Sequence, residues 1–62
     1  MFKLEIEASN AAFGENDSER GDETARILAW IAARLRDGHV SGNVTDANGN
    51  AVGSYAFTAR GE

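Results

Sequence analysis

The sequence contains no cysteine and only one histidine, His39. Without cysteine there are no disulfides, no thiolate metal sites and no cysteine nucleophile. A single histidine does not supply a tetrahedral zinc site, which uses several histidine or cysteine ligands. A chain of 62 residues buries only about 60% of the surface of its unfolded form. Because the usual covalent and metal supports are missing, association with a second copy is one alternative source of stability.

Long apolar runs are also absent. The first residues alternate charged and apolar side chains, unlike a signal peptide, and no segment approaches the ~20 apolar residues of a membrane span. These absences predict an intracellular protein that does not contact a membrane.

Positive charge is scarce, with six Lys and Arg against ten Asp and Glu, for a net charge of −4. Residues 1–23 hold seven of the acids, whereas residues 24–62 hold three acids and four arginines. A protein that binds nucleic acid directly normally has a basic stripe. We therefore expect no direct contact with nucleic acid.

Two segments precede the helix. Residues 2–8 alternate between apolar and polar side chains, the period-two pattern of a half-buried strand. Residues 9–21 are rich in Asn, Gly, Asp, Ser and Glu and predict a long acidic loop. Within this loop we expect Phe13 to lie under the helix as an anchor. Two interpretations of the acidic residues stay open: they bind a partner, or they only keep the loop solvated.

Residues 22–37 predict the single helix, with Asp22 as its N-cap and Gly38 as the left-handed residue after its last turn. Side chains at helical spacing form one stripe that should lie on a sheet. The stripe consists of Thr24, Ile27, Leu28, Ile31 and Leu35.

The opposite side of the helix carries Arg26, Ala29, Trp30 and Ala33. A Trp and an Arg above small neighbours have the composition of a contact hot spot. Two interpretations stay open here as well. Trp30 is either exposed in an interface, or it folds over the helix edge and covers the sheet or the long loop.

Residues 39–60 predict a β-hairpin, because Asn48-Gly49 between β-forming segments is a strong hairpin signal. Val52 has the opposite parity to Tyr55 and Phe57. A bulge at Gly53 would return Val52 to the core.

These segments predict an α+β fold of β-α-β-β order in a single domain, residues 1–62. If the last strand is central, the sheet is three-stranded and antiparallel in the order 1-3-2, with Tyr55 and Phe57 under the helix. One helix covers one face, so the other face stays polar and exposes Glu5 and Glu7. The outer strands are free to pair with a partner strand.

We find no catalytic, cofactor-binding or metal-binding signature. His39 has no partner for a triad, and Glu5 and Glu7 lie on an open face without a pocket to separate their pKa values. Residues 46–50 lack the spacing and the final Glu of a calcium loop. We expect a protein that is not an enzyme and has neither cofactor nor metal.

Residues 10–13, 25–28, 34–38 and 46–53 together resemble those of very small bacteriophage or prophage accessory proteins. The resemblance covers nearly the whole chain, but its motifs are structural and carry no functional residues. It implies a viral origin and action in the bacterial cytoplasm. By association with phage proteins of this size, it also implies an anti-CRISPR or other anti-defence inhibitor that occupies a surface of a host complex such as a CRISPR effector.

Two functions follow from these observations. In the first, acidic side chains engage a basic surface of a host complex and block it by protein–protein contact. In the alternative, the chain is a homo-oligomeric structural or accessory phage protein that pairs through the outer helix face. The candidate partner-binding residues are Glu5, Glu7, Glu15, Asp17, Glu19, Arg26, Ala29, Trp30 and Ala33.

Overall fold

The computed structural model of the protein describes residues 1–58. Its elements, in chain order, are β1 (Phe2–Ile6), a 3₁₀ turn (Ala11–Phe13), α1 (Asp17–Arg36), β2 (Ser41–Thr45) and β3 (Ala51–Phe57). The first strand was predicted to reach residue 8 and ends at Ile6. The predicted end of the hairpin at residue 60 lies outside the described residues.

The three strands form one antiparallel sheet in the order β1-β3-β2. The predicted α+β class, β-α-β-β order and strand order are therefore confirmed. Tyr55 lies at the centre, opposite Leu4 on β1 and Gly42 on β2. A Cβ at Gly42 would lie 3.0 Å from the Tyr55 hydroxyl, so the Tyr55 ring occupies the space that glycine leaves free.

A β-bulge brings Val52 into the core. Val44 pairs with Gly53, but the next residue, Thr45, pairs with Ala51, so Val52 is the extra residue on β3. An extra residue in one strand turns its neighbours relative to the sheet. Val52 is buried, as the sequence predicted, and the bulge lies one residue before the predicted position.

Helix α1 covers one face of the sheet. The buried apolar residues are Phe13, Ile27, Ile31, Val44, Val52 and Tyr55. The burial of Phe13 next to the helix confirms its predicted role as an anchor of the loop. In the predicted helix stripe, Ile27 and Ile31 are buried, whereas Leu28 is 46% exposed. The prediction that Leu28 belongs to the buried stripe is therefore wrong.

The helix begins at Asp17, not at residue 22, and Asn16 is its N-cap. The Asn16 side-chain oxygen accepts the Glu19 N–H at 2.8 Å, and Glu19 Oε1 accepts the Glu15 N–H at 2.9 Å. This reciprocal arrangement is a variant of the capping box. The assignment of Asp22 as N-cap is therefore wrong. Because the cap lies at Asn16, residues 17–21 are helical, and the acidic loop is shorter than predicted.

Phe57 was predicted to lie under the helix, but this prediction is wrong. The residue is 54% exposed. Its ring contacts that of Phe2, with 4.8 Å between ring centroids. Phe57 also donates its N–H to the carbonyl of Val40, the residue before β2, so one apolar row extends from β1 across β3 to the start of β2. The helix covers the sheet as far as Tyr55 and leaves this row, Phe2, Val40 and Phe57, at least one-third exposed.

Candidate functional site

A buried carboxylate joins α1 to the turn between β2 and β3. Glu23 is largely buried, and both of its oxygens accept hydrogen bonds from the Arg26 guanidinium, at 2.8 and 2.9 Å. One oxygen also accepts the Ala47 N–H at 2.9 Å. The hydrogen bond from Arg26 lowers the pKa of Glu23 from its usual 4.5, against a smaller opposing effect of burial. The candidate residue Arg26 is therefore bound to Glu23, with its side chain 49% exposed.

A second buried carboxylate organises the turn itself. Asp46 accepts the N–H groups of Asn48 and Asn50 at 2.9 Å each, and the side-chain amide of Asn10 at 2.7 Å. Burial acting alone would raise the pKa of Asp46. The hydrogen bonds from Asn50, Asn10 and Asn48 together outweigh burial, so this pKa lies below the usual 3.8. The cluster fixes the loop after β1, the hairpin turn and, through Glu23, the helix.

These two lowered pKa values predict acid sensitivity. A carboxylate whose pKa is lower in the folded chain contributes stability above its unfolded-state pKa and loses it as pH falls through the folded-state value. We expect the melting temperature to be steady near neutral pH and to fall once the pH drops below about 4.5, continuing to lower pH. Circular dichroism melts across this range measure the effect.

Glu23→Gln is the informative variant for this prediction, because it keeps the side-chain size but removes the charge that Arg26 binds. The variant should melt lower at neutral pH and show a shallower loss in acid. Glu5→Gln, which changes an exposed carboxylate, is the control and should leave the profile as in the wild type. Identical acid profiles for Glu23→Gln and the wild type would contradict the assignment.

An open apolar groove runs along the N-terminal half of α1, beside the segment that leaves β1. It has a volume of about 410 Å³ and is lined by Ala8, Asp17, Arg20, Gly21, Thr24, Ala25 and Leu28. Gly21 contributes no side chain to the groove, and a Cβ there would have no other atom within 4 Å. The exposed Leu28 forms one wall. At the rim, Arg20 pairs with Asp17 at 2.6 Å.

The acidic candidates separate into three groups. Asp17 lines the groove, and Glu7 directly precedes Ala8, which also lines it. Glu15 is exposed just before the helix, but Glu19 is engaged in the cap of α1. Glu5 lies elsewhere, on the strand face opposite the helix, in register with Ser54. The structure therefore brings only part of this set together.

The outer helix face is less open than its sequence indicated. Trp30 is 36% exposed, and the Arg34 guanidinium lies over its ring at 5.0 Å from the centroid. Ala29 and Ala33 are exposed, whereas Arg26 is bound to Glu23. Both arginines near Trp30 are thus occupied within the chain.

Within residues 1–58 no three or more His, Cys, Asp or Glu side chains are grouped so that they could hold a metal ion. Over the same residues, no helix has both the length and the apolar character needed to cross a membrane. No protein family, curated protein or solved structure matches the chain. We therefore infer function from the surfaces described above.

Proposed function

We propose that the protein is a non-enzymatic binding protein that acts by protein–protein contact through the α1 groove. The observation that carries this proposal is the position of Leu28, which is 46% exposed in the wall of an apolar groove instead of packed in the core. An apolar groove of this size accommodates an inserted side chain. The Asp17 carboxylate lines the groove and binds Arg20. A partner that carries positive charge beside its inserted side chain could take the place of Arg20 there.

The narrower proposal is a phage-encoded inhibitor of a host defence complex, such as a CRISPR effector, in the bacterial cytoplasm. Its support is the resemblance of the structural motifs together with the excess of acid in the first 23 residues. Surfaces that hold nucleic-acid phosphates are basic. An acidic protein that also inserts into such a surface competes with the nucleic acid for the same side chains.

The alternative, a homo-oligomeric accessory protein that pairs through the outer helix face, has less support. Contact hot spots are enriched in Trp and Arg, and an arginine that already has a partner within its own chain gains less from a second chain. Arg26 is bound to Glu23, and Arg34 is stacked on Trp30. We therefore favour the groove over the outer face as the site of contact.

The test is a panel of purified CRISPR effectors, with target cleavage measured at increasing concentrations of the protein. We expect the wild type to inhibit at least one effector. Leu28→Ser should weaken that inhibition about 10- to 30-fold, because a truncated hot-spot side chain costs about 2 kcal/mol. Asp17→Asn should weaken it as well, by a smaller factor.

Two matched controls make the test specific to the groove. Val40→Ser removes an exposed apolar side chain outside the groove. Asp22→Asn makes the same charge change as Asp17→Asn, but about 120° around the helix from Leu28. Both controls should inhibit like the wild type. Equal inhibition by Leu28→Ser and the wild type would exclude the groove, and a wild type inactive against every effector would remove the anti-CRISPR proposal.

A further inference from the structure

Strand β1 is a regular and open sheet edge. The order β1-β3-β2 leaves β1 and β2 at the two edges. All five residues of β1 pair with β3 without a register shift, whereas the pairing of β2 with β3 is interrupted by the bulge. A bulge twists an edge away from pairing. Of the two edges, β1 is therefore the one suited to accept another strand.

The main-chain groups of β1 that point outward can be identified from its ladder. Thr58 donates its N–H to the Met1 carbonyl, and Glu7 donates its N–H to the Val52 carbonyl. Hydrogen-bonded and non-hydrogen-bonded pairs alternate in an antiparallel ladder. The main-chain groups of odd-numbered residues therefore face β3, and those of the even-numbered residues face outward. The outward set comprises Phe2, Leu4 and Ile6.

We propose that β1 pairs with β1 of a second copy, antiparallel about a twofold axis at Leu4, to make a continuous six-stranded sheet. In this register Leu4 faces Leu4, and Phe2 of each copy faces Ile6 of the other. All the outward N–H and carbonyl groups then meet a partner, for about six main-chain hydrogen bonds. A twofold interface of this kind closes on itself and does not propagate.

Charge selects this register. With the axis at Leu4, Lys3 of each copy lies opposite Glu5 of the other, in a non-hydrogen-bonded pair where side chains approach most closely. Moving the axis to Lys3 would set Lys3 against Lys3. Moving it to Glu5 would set Glu5 against Glu5 as well as Lys3 against Glu7. Only the Leu4 register therefore has attractive pairs and no like-charge pair. Charges on an edge strand normally prevent pairing. In this chain Lys3 and Glu5 disfavour the neighbouring registers and favour the one with its axis at Leu4.

The apolar contacts are on the other face of the extended sheet. Phe2 is 38% exposed, and Leu4 and Ile6 are only partly buried within one copy. Pairing at β1 places these side chains against their counterparts and removes apolar surface from water. The two Lys3–Glu5 pairs are exposed and contribute little free energy. They determine register and partner, while the main-chain hydrogen bonds and the apolar row provide affinity.

The decisive experiment exchanges the charges and measures the association state by sedimentation equilibrium at chain concentrations up to about 1 mM. The wild type should form a dimer in a concentration-dependent manner. Lys3→Glu and Glu5→Lys should each raise the dimer dissociation constant at least about tenfold, because each brings like charges together twice. An equimolar mixture of the two variants should form a heterodimer, since acidic pairs then face basic pairs.

The single variants should keep the fold, because the register partners of Lys3 and Glu5 on β3 are the uncharged Ala56 and Ser54. Circular dichroism melts verify this. Trp30→Ala should dimerise like the wild type. If the wild type stays monomeric at the highest concentration, the proposal is overturned. It is also overturned if Trp30→Ala no longer dimerises while both charge variants still do. Because no groove residue is changed, this result is independent of the proposed function.

Discussion

Replacing Gly53 with alanine should lower the free energy of unfolding by about 3 kcal/mol or more, a large effect for a domain of this size. A Cβ at this position would collide with the Glu5 carbonyl oxygen and come within 3.1 Å of the Ile6 Cα. The obstacle is main chain, so no rotation of a side chain relieves it. Strand β1 must move away from β3, or the variant must unfold. Urea unfolding followed by circular dichroism measures the loss.

Gly21→Ala is the matched control. Gly21 lies inside α1, has open space where a Cβ would go, and has no positive φ. Alanine there should raise the free energy of unfolding by about 0.5–1 kcal/mol, because glycine is a poor helix residue. If Gly53→Ala were as stable as the wild type, the close approach of β1 to β3 would be wrong, and the proposed pairing of β1 would lose its basis.

The second large effect is expected for Ile27→Ala, which should cost about 2–5 kcal/mol. Ile27 is fully buried between the helix and the sheet. Removing three carbons there leaves a cavity, and a chain of this length has only about 3–9 kcal/mol of stability in total. The variant is therefore expected to be close to unfolding at room temperature. A urea titration at low temperature keeps the folded baseline measurable.

Leu28→Ala, one residue further along, provides the comparison. Leu28 is half-exposed in the groove, so its truncation should change the free energy of unfolding by only about 0.5 kcal/mol. Equal costs at the two positions would mean that the helix is rotated relative to the sheet. Such a rotation would also close the α1 groove, so this pair of measurements tests the site as well as the core.

The strands, the hairpin and the presence of one helix followed from local patterns, because those patterns are strong in this chain. Strict alternation in residues 2–8 indicates the first strand, and the Asn48-Gly49 turn indicates a hairpin of two further strands. A central β3 was predicted as an arrangement that makes every pairing antiparallel, and the structure has this order. The parity of Val52 predicted a bulge at Gly53, and the structure has one at Val52 itself. None of this required knowledge of long-range contacts.

The helix start was missed although its signal was present. Asn16 and Glu19 have the spacing of a capping box. The density of Gly, Asp and Ser around them obscures that signal, and Gly21 instead indicates a helix boundary. As a result, Asp17 and Glu19 were predicted in a loop, although both lie in the first turn of the helix.

Other features of the candidate site could not be predicted from local sequence patterns. The burial of Glu23 depends on the Ala47 N–H, which belongs to a turn 24 residues away. The exposure of Leu28 and Phe57 depends on how far one helix extends over the sheet and at what rotation. Periodicity identifies an apolar face, but it does not say how much of that face a single helix can cover.

The carboxylates of Glu23 and Asp46 have a consequence for how the protein opens. They connect the hairpin turn to the helix and to Asn10, which are distant along the chain. Local opening of any one of these segments breaks hydrogen bonds of the others, so they open together as one cooperative unit. At the opposite end of the sheet, the partly exposed row of Phe2, Val40 and Phe57 has no helix over it. We therefore expect local opening to begin at the end with the exposed apolar row and to reach the end held by the two carboxylates last.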